Sequence, residues 1–177
     1  GRLGSDSEDN IGDEAGEMAS LGVVNLGSGR TAVAVSASNQ HTCAILDSAE
    51  LKCFGRGGRG QLGYDSTDNI GDEAGEMASL GVINLGVGRT AVAVSAGFMH
   101  TCVILDTADL KCFGYGADGR LGYDSTDDKG KTAGDMASLG VVNLGSGRTA
   151  VDVSASDGHT CSIVDTADLK CWGKGNW

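Results

Sequence analysis

Apolar residues in this chain fall in short runs, and glycine or polar residues break each run before a long helix could form. "TAVAVSA" (31–37) alternates strictly, with Val33 and Val35 on one face and small alanines on the other. That period of two predicts a strand, and small residues on both faces predict a sheet packed between neighbouring sheets. "GVVNLG" (22–27), an apolar run bounded by glycine, predicts a strand before it. "HTCAIL" (41–46) and "ELKCFG" (50–55) flank "DSA" and predict a hairpin. Helical character is confined to "DEAGEMASL" (13–21), where Gly16 argues against anything beyond a turn.

The whole pattern then returns. Gly1, Gly60 and Gly119 open three copies, "GRLGSDSEDN", "GQLGYDSTDN" and "GRLGYDSTDD", so the units run 1–59, 60–118 and 119–177. A period this long with four short antiparallel strands per unit predicts an all-β chain of propeller blades. Closed propellers hold about four to eight blades. Three are therefore expected to form part of a larger propeller or repeating assembly, through further repeats or self-association. The Val- and Ala-lined faces of the first and third blades, at Val33 and Val151, are the surfaces expected to need covering.

Composition sharpens the chemistry. The chain carries 30 Gly and no Pro, so its turns rest on Gly, Asn, Asp and Ser. A net charge of −11 disfavours a surface that tracks nucleic-acid phosphates. No apolar run approaches the ~20 residues of a membrane-spanning helix.

Six cysteines recur in phase, each pair ten positions apart: Cys43 with Cys53, Cys102 with Cys112, Cys161 with Cys171. A hairpin loop of three or five residues would set each pair directly opposite on one face, within disulfide reach. "LDSAEL" lacks the glycine signal of a two-residue turn, which favours the odd loop. Six reduced, buried thiols and a metal site are the rival readings; zinc ligands normally come in closer pairs. Bridges would imply an oxidising compartment, extracellular or at the cell surface. His41, His100 and His159 precede Thr-Cys in every copy. Three equivalent copies suit a ring hydrogen-bonded to backbone at the start of a strand better than a catalytic base, and no enzyme is expected. Arg30, Arg89 and Arg148 in "GRTAV" are expected at turns or between blades.

"YDSTDNIGDEAGE" (64–76) gathers Asp65, Asp68, Asp72 and Glu73 around Gly71. Hard oxygen ligands near a glycine turn are a candidate calcium site. Its rival is a plain solvated loop, and the third copy puts Lys129 and Lys131 into the same stretch.

"GQLGYD", "VAVSAGFMHTC" and "LKCFGYG" resemble the repeats of the regulator of chromosome condensation family, and the likeness runs through all three copies. "HTC" with "KCWG" is similar to the cysteine-bearing variant common in secreted and bacterial surface proteins. The resemblance implies a β-propeller, usually seven-bladed, and a protein-binding face at the loop before the His-Thr strand. By that resemblance the loop-tip residues Phe98, Met99, Tyr115 and Trp177 are candidates for an interaction surface. The function expected is a non-catalytic extracellular scaffold, a building unit of a ring, chain or fibre. The alternative is a discrete propeller that binds and regulates a partner protein. The acidic charge and paired cysteines speak against the nuclear role that names the family.

Overall fold

A computed structural model describes residues 1–176. Each copy contributes a one-turn helix and a three-stranded antiparallel sheet. The first has α1 (Glu17–Ser20), β1 (Ala32–Ala37), β2 (His41–Leu46) and β3 (Leu51–Gly55). The second has α2 (Glu76–Ser79), β4 (Ala91–Ala96), β5 (His100–Leu105) and β6 (Leu110–Gly114). The third has α3 (Asp135–Ser138), β7 (Ala150–Ala155), β8 (His159–Val164) and β9 (Leu169–Gly173). Strand order follows the chain in every sheet. Gly16, Gly75 and Gly134 start the one-turn helices with φ near +90°, a conformation that suits glycine and ends any helix upstream.

The expected fourth strand is absent among the described residues, and in the second and third copies the reason is a tyrosine. The segment around Ile83 does lie along β3 of the preceding copy, through one backbone bond from Ile83 N to the Leu51 carbonyl (2.9 Å). Beyond that point the Tyr64 hydroxyl is wedged into the gap. It accepts from Cys53 N (3.1 Å) and donates to the Gly81 carbonyl (3.3 Å). Lys52 Nζ takes the next carbonyl, Leu80 (2.6 Å). Tyr123 repeats the wedge between Cys112 N (3.0 Å) and Gly140 O (3.1 Å). Side chains thus satisfy the backbone groups a ladder would have used, and the outer edge of a blade comes from the following copy.

Val33, Val92 and Val151 are not buried between sheets, even in the middle copy. The strict alternation breaks there, because pairing jumps from Ala32↔Leu46 to Ala34↔Ile45 and leaves Val33 bulged, with the same irregularity in β4 and β7. The core lies instead at the seams between copies. Leu51, Ile45 and Cys53 of the first copy pack with Ile83, Leu85 and Ala91 of the second.

Candidate binding face

The cysteines sit as the odd loop requires. Ile45 pairs with Leu51, Leu46 N bonds the Glu50 carbonyl (2.9 Å), and residues 47–49 make the turn. Cys43 and Cys53 are register partners with Cα atoms 4.0 Å apart, and a disulfide joins them. Cys102–Cys112 and Cys161–Cys171 repeat this. The first two bridges are wholly buried beneath the seam.

The histidines stitch one copy to the next. Thr101 donates its hydroxyl to the Gln61 carbonyl (2.8 Å), so its oxygen is left to accept from Nε2–H of His41 (2.7 Å). His100 and Thr160 repeat the contact at 2.8 Å. The partner is a threonine hydroxyl of the neighbouring copy, not the backbone group that the sequence suggests. Burial holds the His41 ring well below the usual range, to about 4. His100 falls to about 3, through burial first and then the charges of Arg120, His41 and His159. Both rings are closed off from solvent. The arginines of "GRTAV" pair within their own copies, Arg89 with Asp106 at 3.2 Å and Arg148 with Asp165 at 3.3 Å, so they do not bridge blades.

The four acidic residues considered for calcium do not converge. Asp65 reaches across to the third copy and accepts from Gly134 N (2.9 Å) and Met136 N (2.8 Å), capping α3. Asp68 accepts from Ser66 Oγ at 2.7 Å, and Glu73 is exposed. Asp72 keeps one buried oxygen without a partner. Among the described residues no three acidic, His or Cys groups form a metal-ligand cluster.

The variable loop tips do come together. Tyr115 N bonds the Met99 carbonyl (2.8 Å), which ties the loop after β6 to the loop before β5. Phe98 N bonds the Ser156 carbonyl of the third copy (3.1 Å), so the loops of adjacent copies are continuous. Phe98, Met99 and Tyr115 are all half-buried there; Trp177 lies outside the described residues. Arginines that the sequence reading passed over complete the face. The guanidinium groups of Arg59 and Arg120 lie over the Tyr115 ring at 4.4 and 4.8 Å from its centre. Arg120 also donates to the Asp157 carbonyl (2.9 Å), and Arg2 to that of Asn39 (2.5 Å). A signal existed: Arg59 stands where the second copy has Asp118, and Arg120 where it has Gln61. Both cations are paired locally, the buried Arg120 with Asp118 (3.1 Å) and Arg59 with Asp128 (3.5 Å), so they hold the Tyr115 ring in place and leave a charge-balanced, partly aromatic face.

A model of the regulator of chromosome condensation (RCC1) repeat matches residues 32–61. The Drosophila melanogaster regulator of chromosome condensation is 30% identical over 119 residues, 67% of this chain and 19% of its own length. The chain belongs to the regulator of chromosome condensation repeat family. Human E3 ubiquitin-protein ligase HERC2 is 26% identical over 147 residues, 82% of this chain and 3% of that protein. Yeast RCC1 (Prp20), solved bound to Kap60, superposes with a TM-score of 0.64 at 15% identity over 99% of this chain and 38% of that one. The chain therefore spans a minor part of the relatives it matches, and its fold is that of β-propeller repeats.

Proposed function

We propose that this chain is a non-catalytic building unit of a larger propeller assembly, working outside the cell or at its surface. The observation that carries the reading is an asymmetry between identical residues. Met77 and Met136 are 1% exposed, whereas their counterpart Met18 is 66% exposed. At the opposite end Leu51 is 0% and Leu110 is 1% exposed, while Leu169 is 67% exposed. Each copy is built to be covered on both sides. Three bridges, two of them wholly buried, support an oxidising setting. The closure of His41 and His100 from solvent supports a structural part for the recurring histidine. The test is to append a fourth unit, a second copy of residues 60–118, after Trp177. A higher denaturant midpoint together with burial of Leu169 is expected; an unchanged midpoint would remove the reading.

A second reading, protein binding, is favoured by the face that carries Phe98, Met99 and Tyr115 beside Arg59 and Arg120. A propeller of the same fold has been crystallised with Kap60, which supports it. A photo-crosslinking residue at position 98 should capture a partner protein that the same group at the outward-facing Val82 does not. Equal capture at both positions would count against this face.

A further inference from the structure

Contacts between copies recur, group for group, at both seams. His41 meets Thr101 and His100 meets Thr160. Ser36 Oγ accepts from Ala96 N (2.9 Å), and Ser95 Oγ from Ala155 N (2.8 Å). Asp6 accepts from Gly75 N (3.0 Å) and Met77 N (2.9 Å), and Asp65 does the same for Gly134 and Met136. Carried one step further, the third copy offers His159, Ser154 and Asp124. The matching groups on the first copy are Thr42, the Ala37 N–H, and the N–H groups of Gly16 and Met18. Thr42 is already oriented for the contact, since its hydroxyl donates to the Arg2 carbonyl (2.9 Å) as Thr101 does to Gln61.

The apolar halves match as well. Phe54 is packed with Met77 and Leu80 of the next copy, and Phe113 with Met136 and Leu139. At the tail this ring is the larger Trp172, half-buried. At the head the tyrosine that wedges against such a ring, Tyr64 or Tyr123, is the smaller Ser5. A groove beside Ser5, lined by Met18, Leu21 and Val24, stands open there. The two departures are opposite in size and fall on opposite ends of one junction.

We infer that a second molecule of this chain seats tail to head on these faces, His159 to Thr42, Ser154 to Ala37, Asp124 to Gly16 and Met18, with Trp172 over Ser5. The inference rests on the building-unit reading and adds the partner. Two molecules give six blades, within the range of about four to eight for closed propellers, and each contributes the same head and tail. A further unit in one polypeptide would use the same register; the opposite departures in size at Trp172 and Ser5, which fit this chain's own tail to its own head, are what assign the second molecule as occupant.

Analytical ultracentrifugation of the chain should show a concentration-dependent species of twice its 17.9 kDa mass. Met18→Glu blocks the head and Leu169→Glu the tail; each alone should sediment as monomer, and an equimolar mixture should recover a two-chain species. Both positions are exposed within one molecule, so the three bridges should persist. Hydrogen exchange on the unaltered chain gives a readout free of variants: the amides of Gly16, Met18 and Ala37 should slow at least tenfold on association. A chain that stays monomeric overturns the inference. So does a dimer that survives either substitution, a mixture that fails to pair, or association without protection of those three amides. If the four-unit chain is stabilised while the three-unit chain remains monomeric, only the second-molecule assignment falls.

Discussion

The Thr101 hydroxyl oxygen lies 2.7 Å from Nε2 of His41, sixty positions earlier in the chain, and donates its own proton to Gln61. That geometry sets the tautomer of His41. Nε2 must carry the proton, so Nδ1 is the bare nitrogen, 3.1 Å from Ser38 Oγ. A doubly protonated ring would have to be charged inside the seam, which explains why burial drives the ring so far from its usual value.

Acid should therefore loosen the blades. The folded values of about 4 for His41 and about 3 for His100 lie below the ordinary 6.5, so the unfolded chain binds more protons between them. Their contribution is fully present above pH 6.5 and is lost as pH falls towards 4 and then 3. The slope is about 1.4 kcal/mol per pH unit for each ring, or roughly 2 kcal/mol each by pH 5. Urea unfolding at pH 7 and 5 checks this, with His41→Gln expected to lose about half of the dependence. A pH profile identical in the variant would refute the assignment.

Gly97 tells against a tempting repair. His100 Nδ1 is buried without a partner, and the first copy supplies Ser38 to the equivalent nitrogen. Yet a Cβ at position 97 would fall 2.5 Å from the Ser156 carbonyl oxygen and 2.6 Å from His100 Cε1. Gly97→Ser should cost about 1–3 kcal/mol through crowding, in spite of the serine in both sister copies. Equal or higher stability by chemical denaturation would show that the loop yields.

Removing one bridge from the middle copy, Cys102→Ala with Cys112→Ala, should cost about 2–3 kcal/mol in the chain-entropy account of so short a loop. Both positions are wholly buried, so the replacements also leave small voids. Thermal melting under non-reducing conditions measures the loss, and an unchanged midpoint would make the staple dispensable.

Asp65 supplies an internal control. Its carboxylate caps α3 across the seam, whereas Asp124 has no backbone N–H partner among the described residues. Asp65→Ala should cost about 1–2 kcal/mol for the lost helix cap. Both positions have positive φ, 55° and 53°, so each alanine carries the same backbone strain, and at dilutions where the chain is monomeric Asp124→Ala should cost that strain alone, about 1–2 kcal/mol less than Asp65→Ala. Equal losses at the two sites would disconnect the cost from the cap.

Much was legible locally. The period-two run at 31–37, the apolar runs at 41–46 and 50–55 and the three-residue turn between them are properties of adjacent residues. Periodicity and covalent spacing therefore placed β1–β3 and their counterparts and set Cys43 opposite Cys53, because side-chain alternation and hairpin register depend only on the chain nearby. The tertiary structure alone decided the rest. Tyr64 between Cys53 and Gly81, His41 on Thr101, and Asp65 on Gly134 and Met136 join groups from different copies. So do Phe98 on Ser156 and the arginines over Tyr115. Such pairings depend on the angle and offset at which one blade stacks on the next. A pattern repeated every 59 residues records that stacking occurs without saying which of its polar groups will face each other across the seam.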